Sequence, residues 1–177
     1  MNPPHQLITV GVDGSPASDA ALVYALDEAV ARGARVLAVT AWWVGPVLPD
    51  SKPSKLATRR AAAASVQASA IARACAELDD PPTVLTRLAH GDPSVMLIDA
   101  ARHTSCLVIG TEHKSIFRRV TEGSVSARCV RNCAVPVIVV PWIAHPKLQT
   151  RGIDLDIDLE AELELDADRP VLETLTS

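Results

Sequence analysis

The apolar positions of this chain fall into short blocks whose spacing switches between two periods. Leu7-Ile8-Thr9-Val10-Gly11-Val12-Asp13 is a continuous apolar run of strand length. Ser15-Pro16 follows, supplying an N-cap and a proline for the first turn of a helix. Leu22, Leu26, Ala29 and Val30 then share one helical face, and Gly33 marks the helix end. The same alternation repeats. Strands are predicted over 35–41, 83–89, 106–110 and 135–140, all rich in Val, Ile, Leu and Ala. Helices are predicted over 56–78, from Pro93 through Ala101, and over 124–132. Pro81-Pro82 stops the first of these. Segment 42–55 and a stretch of about a dozen residues after Gly110 read as loops.

The order is therefore β-α-β-α-β-α-β-α-β. Strands that alternate with helices imply a parallel sheet, because each helix must carry the chain back to the starting edge. The strands read as apolar runs, as expected where helices cover both faces. Right-handed crossovers and a reversal after the third strand predict a doubly wound five-stranded α/β sheet of order 3-2-1-4-5. Residues 1–145 form this domain, and 146–177 a tail of different character. From Ile153 to Asp166 apolar and acidic residues alternate. Period two favours a strand, while the wholly acidic face favours a disordered tail, and both readings stand.

Composition and charge narrow the picture. Hydrophobic residues make up 48% of the 177 and aromatic ones only 3%, so the core must be aliphatic. The net charge of −4 is uneven. Residues 1–150 hold 15 Lys/Arg against 12 Asp/Glu, and residues 151–177 hold 2 against 9. A near-neutral body offers no electrostatic footprint for nucleic acid or for a membrane surface. The N-terminal residues lack the basic region of a secretory signal, and no apolar run approaches a membrane span, so the expected location is the cytoplasm. Cys75, Cys106, Cys129 and Cys133 follow no CxxC spacing. Cys129 and Cys133 would share a helix face, as a metal pair or, by the habit of free cysteines, as reduced core thiols.

In a doubly wound sheet a ligand sits where strand order reverses, between the first and fourth strands. The carboxyl end of the first strand is Val12-Asp13-Gly14-Ser15, and that of the fourth is Gly110-Thr111. The loop after Thr111 ends in Gly123-Ser124-Val125-Ser126 at a helix N-terminus, where N–H groups and the helix dipole favour an anion. The same four residues also suit an ordinary N-cap. Asp13-Gly14-Ser15 likewise suits a plain turn into a helix. Neither GxxxxGK[ST] nor GxGxxG occurs, which argues against a P-loop enzyme and a dinucleotide oxidoreductase.

These segments together resemble the universal stress protein family. The resemblance rests on Val10-Gly11-Val12-Asp13-Gly14-Ser15, on Gly91-Asp92-Pro93, on Leu107-Val108-Ile109-Gly110 with Gly123-Ser124-Val125-Ser126, and on Val135-Pro136-Val137-Ile138-Val139-Val140. It covers about residues 7–141. Many members bind ATP through a G-x2-G-x9-G-[S/T] pattern. Gly110, Gly123 and Ser124 match it, and His113 stands in place of its second glycine. The resemblance implies ATP or a related adenine nucleotide as ligand, with or without Mg2+. It implies that Asp13 faces the nucleoside and that the Ala41 backbone contacts adenine. Gly110, Thr111 and the Gly123–Ser126 turn would take the phosphates. His113, Lys114, Arg118 and Arg119 either surround a polyphosphate or are solvated surface charges. Cys106 stands where members often have an acidic residue, and its apolar setting points to burial. The resemblance also implies a homodimer through the Val137–Val140 edge strand, an answer to an apolar edge that must be paired or covered; the acidic tail folding over it is the other answer.

The expected function is a nucleotide-binding stress-response module with no catalytic residues. Its rivals are a nucleotide-free dimeric scaffold and a weak ATP hydrolase or nucleotidyl-transfer enzyme.

Overall fold

Strands and helices follow one another as the periodicity predicts. The computed structural model describes residues 6–42, 53–112 and 124–142. The elements are β1 (Leu7–Gly11), α1 (Pro16–Arg32), β2 (Arg35–Trp42), α2 (Pro53–Ala76), β3 (Val84–His90), α3 (Pro93–Ala101), β4 (Cys106–Glu112), α4 (Val125–Asn132) and β5 (Val137–Trp142). The sheet is wholly parallel, with order β3-β2-β1-β4-β5. Residues 143–177, which carry the expected acidic tail or strand, lie outside the described residues.

Each face of the sheet carries its own core. On one side Ile8, Val10 and Val12 pack with Ala21, Leu22, Ala25, Leu26 and Ala29 of α1 and with Ala70 and Ala74 of α2. On the other, Val39, Leu107 and Ile109 pack with Leu97 and Ala101 of α3 and Cys129 of α4. The alanine stripe of α1 lets its backbone lie close to the sheet. That closeness is extreme at Gly110, where a Cβ would stand 2.0 Å from the Ala17 carbonyl oxygen.

Element ends differ from the expected ones for reasons visible in the ladder. β1 stops at Gly11 because residues 13–15 are drawn into the cap of α1. β2 reaches Trp42 because Trp42 pairs with His90 and accepts from the Gly91 N–H at 3.1 Å. β4 reaches Glu112 by pairing with Trp142. β3 departs from the apolar expectation: Leu85, Thr86 and Arg87 are exposed, because β3 is an edge.

Among the described residues β5 is the other edge, and its register assigns the groups that β4 does not use. In a parallel ladder the N–H and C=O of one residue go to the same neighbour, alternating along the strand. Leu107 pairs with Val137, and its N–H donates to the Pro136 carbonyl at 2.9 Å. The backbone groups of Ile138, Val140 and Trp142 therefore face β4, and those of Val137, Val139 and Pro141 face outward. Pro141 costs the internal ladder nothing; it removes one donor from the open edge.

Candidate functional site

The carboxyl ends of β1 and β4 diverge and leave a cleft of about 160 Å³, a size that holds one ring system. Of the residues expected there, Val12, Asp13, Ser15, Ala41, Gly110, Val125 and Ser126 line it. Gly14, Thr111 and Ser124 are beside it without lining it. His113 and Gly123 lie outside the described residues, as do Lys114, Arg118 and Arg119. The sequence reading missed Gly11, Ser18, Val39, Pro93, Leu97 and Ile109. Two of these had a legible signal: Gly11 and Val39 stand two residues before Asp13 and Ala41, the spacing at which an extended chain returns to the same face.

One wall is the turn from β1 into α1, closed by three side chains. Ser15 caps α1 by accepting from the Ser18 N–H at 3.2 Å. Asp13 Oδ1 accepts from the Ser15 N–H at 2.9 Å and from Ser15 Oγ at 2.6 Å. Ser18 Oγ accepts from the N–H groups of Gly14 at 3.1 Å and Asp13 at 3.3 Å, and donates to the Ser15 carbonyl at 2.9 Å. Gly14 is held at φ +82°, and a Cβ there would stand 2.6 Å from Val66 Cγ1, so both conformation and space call for glycine. Partial burial opposes the charge on Asp13, but the hydrogen bonds, led by Ser15, outweigh it and hold the carboxyl below its ordinary value. Asp13 is therefore an anion at neutral pH. The amides of this turn are already spent within the protein, which makes it a poor phosphate cradle.

The opposite wall is the N-terminus of α4. Ser124 caps it, its Oγ accepting from the Ala127 N–H at 3.2 Å. Among the described residues no acceptor meets the N–H groups of Val125 and Ser126, both of which line the cleft. These are the donors an anion would find.

The floor is the end of β2. Val12 donates to the Val39 carbonyl at 2.9 Å, the last bond of the β1–β2 ladder. Beyond it, among the described residues, the N–H and C=O of Ala41 have no backbone partner, and both point to the space that β1 has vacated. Next to Ala41, the Trp42 and His90 rings meet at a tilt of 52° with centroids 4.5 Å apart.

The α4 wall is braced from α3. Asp92 caps α3, with Oδ1 accepting from Ser94 N–H (3.0 Å), Ser94 Oγ (2.5 Å) and Val95 N–H (3.2 Å). Its Oδ2 meets Arg128 of α4 at 2.7 Å. The Ser94 hydroxyl foremost, joined by Arg128 and the Val95 N–H, outweighs the opposing effect of burial and lowers the Asp92 carboxyl to about 2. A depressed carboxylate pKa contributes stability above the unfolded value, and that contribution fades as pH falls toward the folded one. Asp92→Asn keeps a capping side chain and removes the charge. Its urea midpoint should lie below that of the parent at pH 7, and the gap should close between about pH 4 and about pH 2. A gap that stays constant to pH 2 would show that Asp92 acts without its charge.

Chemistry by thiols has little support here. Burial pushes the Cys106 thiol up, and pushes Cys129 up to about 11, so both stay protonated. All four cysteines are free. Among the described residues no three His, Cys, Asp or Glu side chains converge as a metal site would require.

The family model that matches the chain describes the universal stress protein family and spans residues 5–141. The chain belongs to the universal stress protein family. A universal stress protein of Mycolicibacterium smegmatis is 29% identical over 140 residues, 75% of this chain and 45% of that protein. One of Mycobacterium tuberculosis is 32% identical over 142 residues, 77% of this chain and 44% of that protein. The chain thus spans less than half the length of these relatives. Among solved structures, a universal stress protein in complex with cAMP superposes with a TM-score of 0.61 at 23% identity, over 77% of this chain and 97% of that one. A family member from Burkholderia pseudomallei gives 0.60 at 28%, over 78% and 97%. One from Arabidopsis thaliana with AMP bound gives 0.55 at 17%, over 78% and 92%. Among the described residues no helix is long and apolar enough to cross a membrane.

Proposed function

We propose that this universal stress protein binds an adenine nucleotide, ATP or a smaller relative such as AMP, in the β1/β4 cleft, and serves the stress response in the cytoplasm as a regulatory dimer rather than as a catalyst. The observation that carries this reading is the free backbone pair of Ala41. One N–H and one C=O pointing the same way match the edge of adenine, whose N1 accepts and whose N6 amino group donates. With the ribose turned toward Asp13, guanine would meet the same pair with its donor and acceptor exchanged. Asp13 would accept from ribose hydroxyls, and its charge would keep phosphate away from the β1 turn. The phosphates then fall to the Val125 and Ser126 amides at the head of α4. Mg2+, if it accompanies the nucleotide, would be held chiefly by phosphate oxygens. The cAMP and AMP complexes of related folds support the same ligand class.

Calorimetry tests this directly. AMP or ATP should bind, and GMP at least tenfold more weakly, since a mispaired polar edge strands buried donors and acceptors. No heat with AMP or ATP at millimolar ligand would overturn the reading in favour of a nucleotide-free scaffold.

The dimer would form by antiparallel pairing of two β5 edges. Centring the register on Ile138 places Val137 opposite Val139 in both directions, which uses both outward N–H groups of each strand and asks nothing of Pro141. Val139 is 37% exposed and its N–H is not needed by β4. Val139→Lys should leave the fold intact and give a monomer by light scattering, because lysine on an edge opposes strand addition. A dimer that survives the change would place the interface elsewhere.

A further inference from the structure

The backbone N–H and C=O of Ala41, without a backbone partner among the described residues, need an explanation, because a parallel ladder would ordinarily claim them. Continuing the β1–β2 register by one rung, the Ala41 N–H would donate to the Val12 carbonyl, and the Ala41 carbonyl would accept from the Gly14 N–H. Both partners are taken by hydroxyls instead. Thr40 Oγ1 donates to the Val12 carbonyl at 2.7 Å, and Ser18 Oγ accepts from the Gly14 N–H at 3.1 Å. Both hydroxyls are buried, Thr40 at 4% and Ser18 at 5% exposure, so water does not compete for them.

We infer that Thr40 and Ser18 are positioning residues that hold the last rung of the sheet open, so that Ala41 keeps a donor and an acceptor side by side for the edge of a purine base. The inference rests on the nucleotide reading above and deepens it, because selectivity at the base then depends on two side chains that need not touch the ligand edge at all. The physical logic is substitution of partners. A buried carbonyl must be paired, and once the Thr40 hydroxyl pairs that of Val12, no unmet acceptor is left there to draw the Ala41 N–H into the ladder. Without the hydroxyl, that N–H is the nearest ladder donor to Val12, and the rung closes.

Two readouts test this, one without ligand and one with it. Amide hydrogen exchange by NMR on the unliganded protein should find the Ala41 N–H exchanging fast while the Val39 N–H, inside the ladder, is protected. In Thr40→Val, which keeps the shape and removes the hydroxyl, Ala41 exchange should slow roughly tenfold or more. Thr40→Ser should restore the fast exchange. The ligand readout compares AMP with 1-deaza-AMP, in which a C–H replaces N1. The wild type should bind 1-deaza-AMP roughly fivefold more weakly, the loss of one hydrogen bond. In Thr40→Val that penalty should vanish, and in Thr40→Ser it should return. A merely structural role for Thr40 would weaken both ligands alike.

An Ala41 amide already protected in the wild type, or unprotected in both proteins, would overturn the inference. So would a 1-deaza penalty that persists in Thr40→Val. Should Thr40→Val fail to fold, the wild-type exchange rate and the wild-type 1-deaza penalty remain decisive. Absence of any AMP binding by the wild type, with Ala41 exchange still governed by residue 40, would count against the nucleotide reading and for the held-open rung.

Discussion

Gly110→Ala is expected to cost about 3 kcal/mol or more and to lower the melting temperature by roughly 10 °C, if the variant folds at all. A single methyl seldom does so much. Here the added Cβ would lie 2.0 Å from the Ala17 carbonyl oxygen, 2.3 Å from its carbon and 2.8 Å from the Ser18 nitrogen. All three are backbone atoms, so no side chain can turn aside. Relief requires the head of α1 to lift from β4, and that turn holds the Ser15–Ser18–Asp13 network against the cleft. Stability and ligand binding should therefore fall together. Thermal denaturation followed by circular dichroism is the check. A loss under about 1 kcal/mol would mean that α1 shifts easily, and that Gly110 answers to the ligand instead of the helix.

Ser126→Asp should act with opposite signs on fold and ligand. A carboxylate in the first turn of α4 meets the positive end of the helix and should stabilise the protein by about 0.3–1 kcal/mol. The same charge would stand beside the Val125 and Ser126 amides, which meet no acceptor among the described residues, and would replace the Ser126 hydroxyl. Two like charges about 4–5 Å apart in a partly shielded site repel by about 3–4 kcal/mol. AMP affinity should drop on the order of a hundredfold or more, while adenosine, which lacks the phosphate, should lose far less. Equal losses for AMP and adenosine would move the phosphate away from α4. The contrast with Gly110→Ala matters, because one change removes binding by loosening the scaffold and the other removes it while tightening the scaffold.

Much of this architecture was legible in the chain. The alternation of apolar strand blocks with helical faces, punctuated by Ser15-Pro16, Gly33, Pro81-Pro82 and Asp92-Pro93, led to the observed sheet order. Seven of the residues expected at the crevice do line the cleft, because the carboxyl ends of β1 and β4 must diverge in any sheet of that order. Ser18 was missed for a physical reason. Its hydroxyl bonds across a turn whose path depends on Gly14 adopting a positive φ, and no spacing rule announces that. Thr40 was missed because inside a strand a threonine reads as β propensity. Only the register of β1 against β2 shows that its hydroxyl takes a backbone acceptor.

The sequence by itself settled the class of fold and the order of the strands, and with them the place where a cleft opens, since these follow from periodicity and from the handedness of short-range connections. The tertiary structure alone decided the meaning of individual positions. Gly110 carries a glycine because α1 rests on it, the β1 turn has few amides left for an anion because its own side chains consume them, and the ladder partners of Ala41 are bonded to the hydroxyls of Thr40 and Ser18. Gly110 against Ala17 and Thr40 against Val12 join atoms far apart in the chain, while the β1 turn joins near neighbours through a positive φ at Gly14; hydrophobic periodicity encodes neither relation.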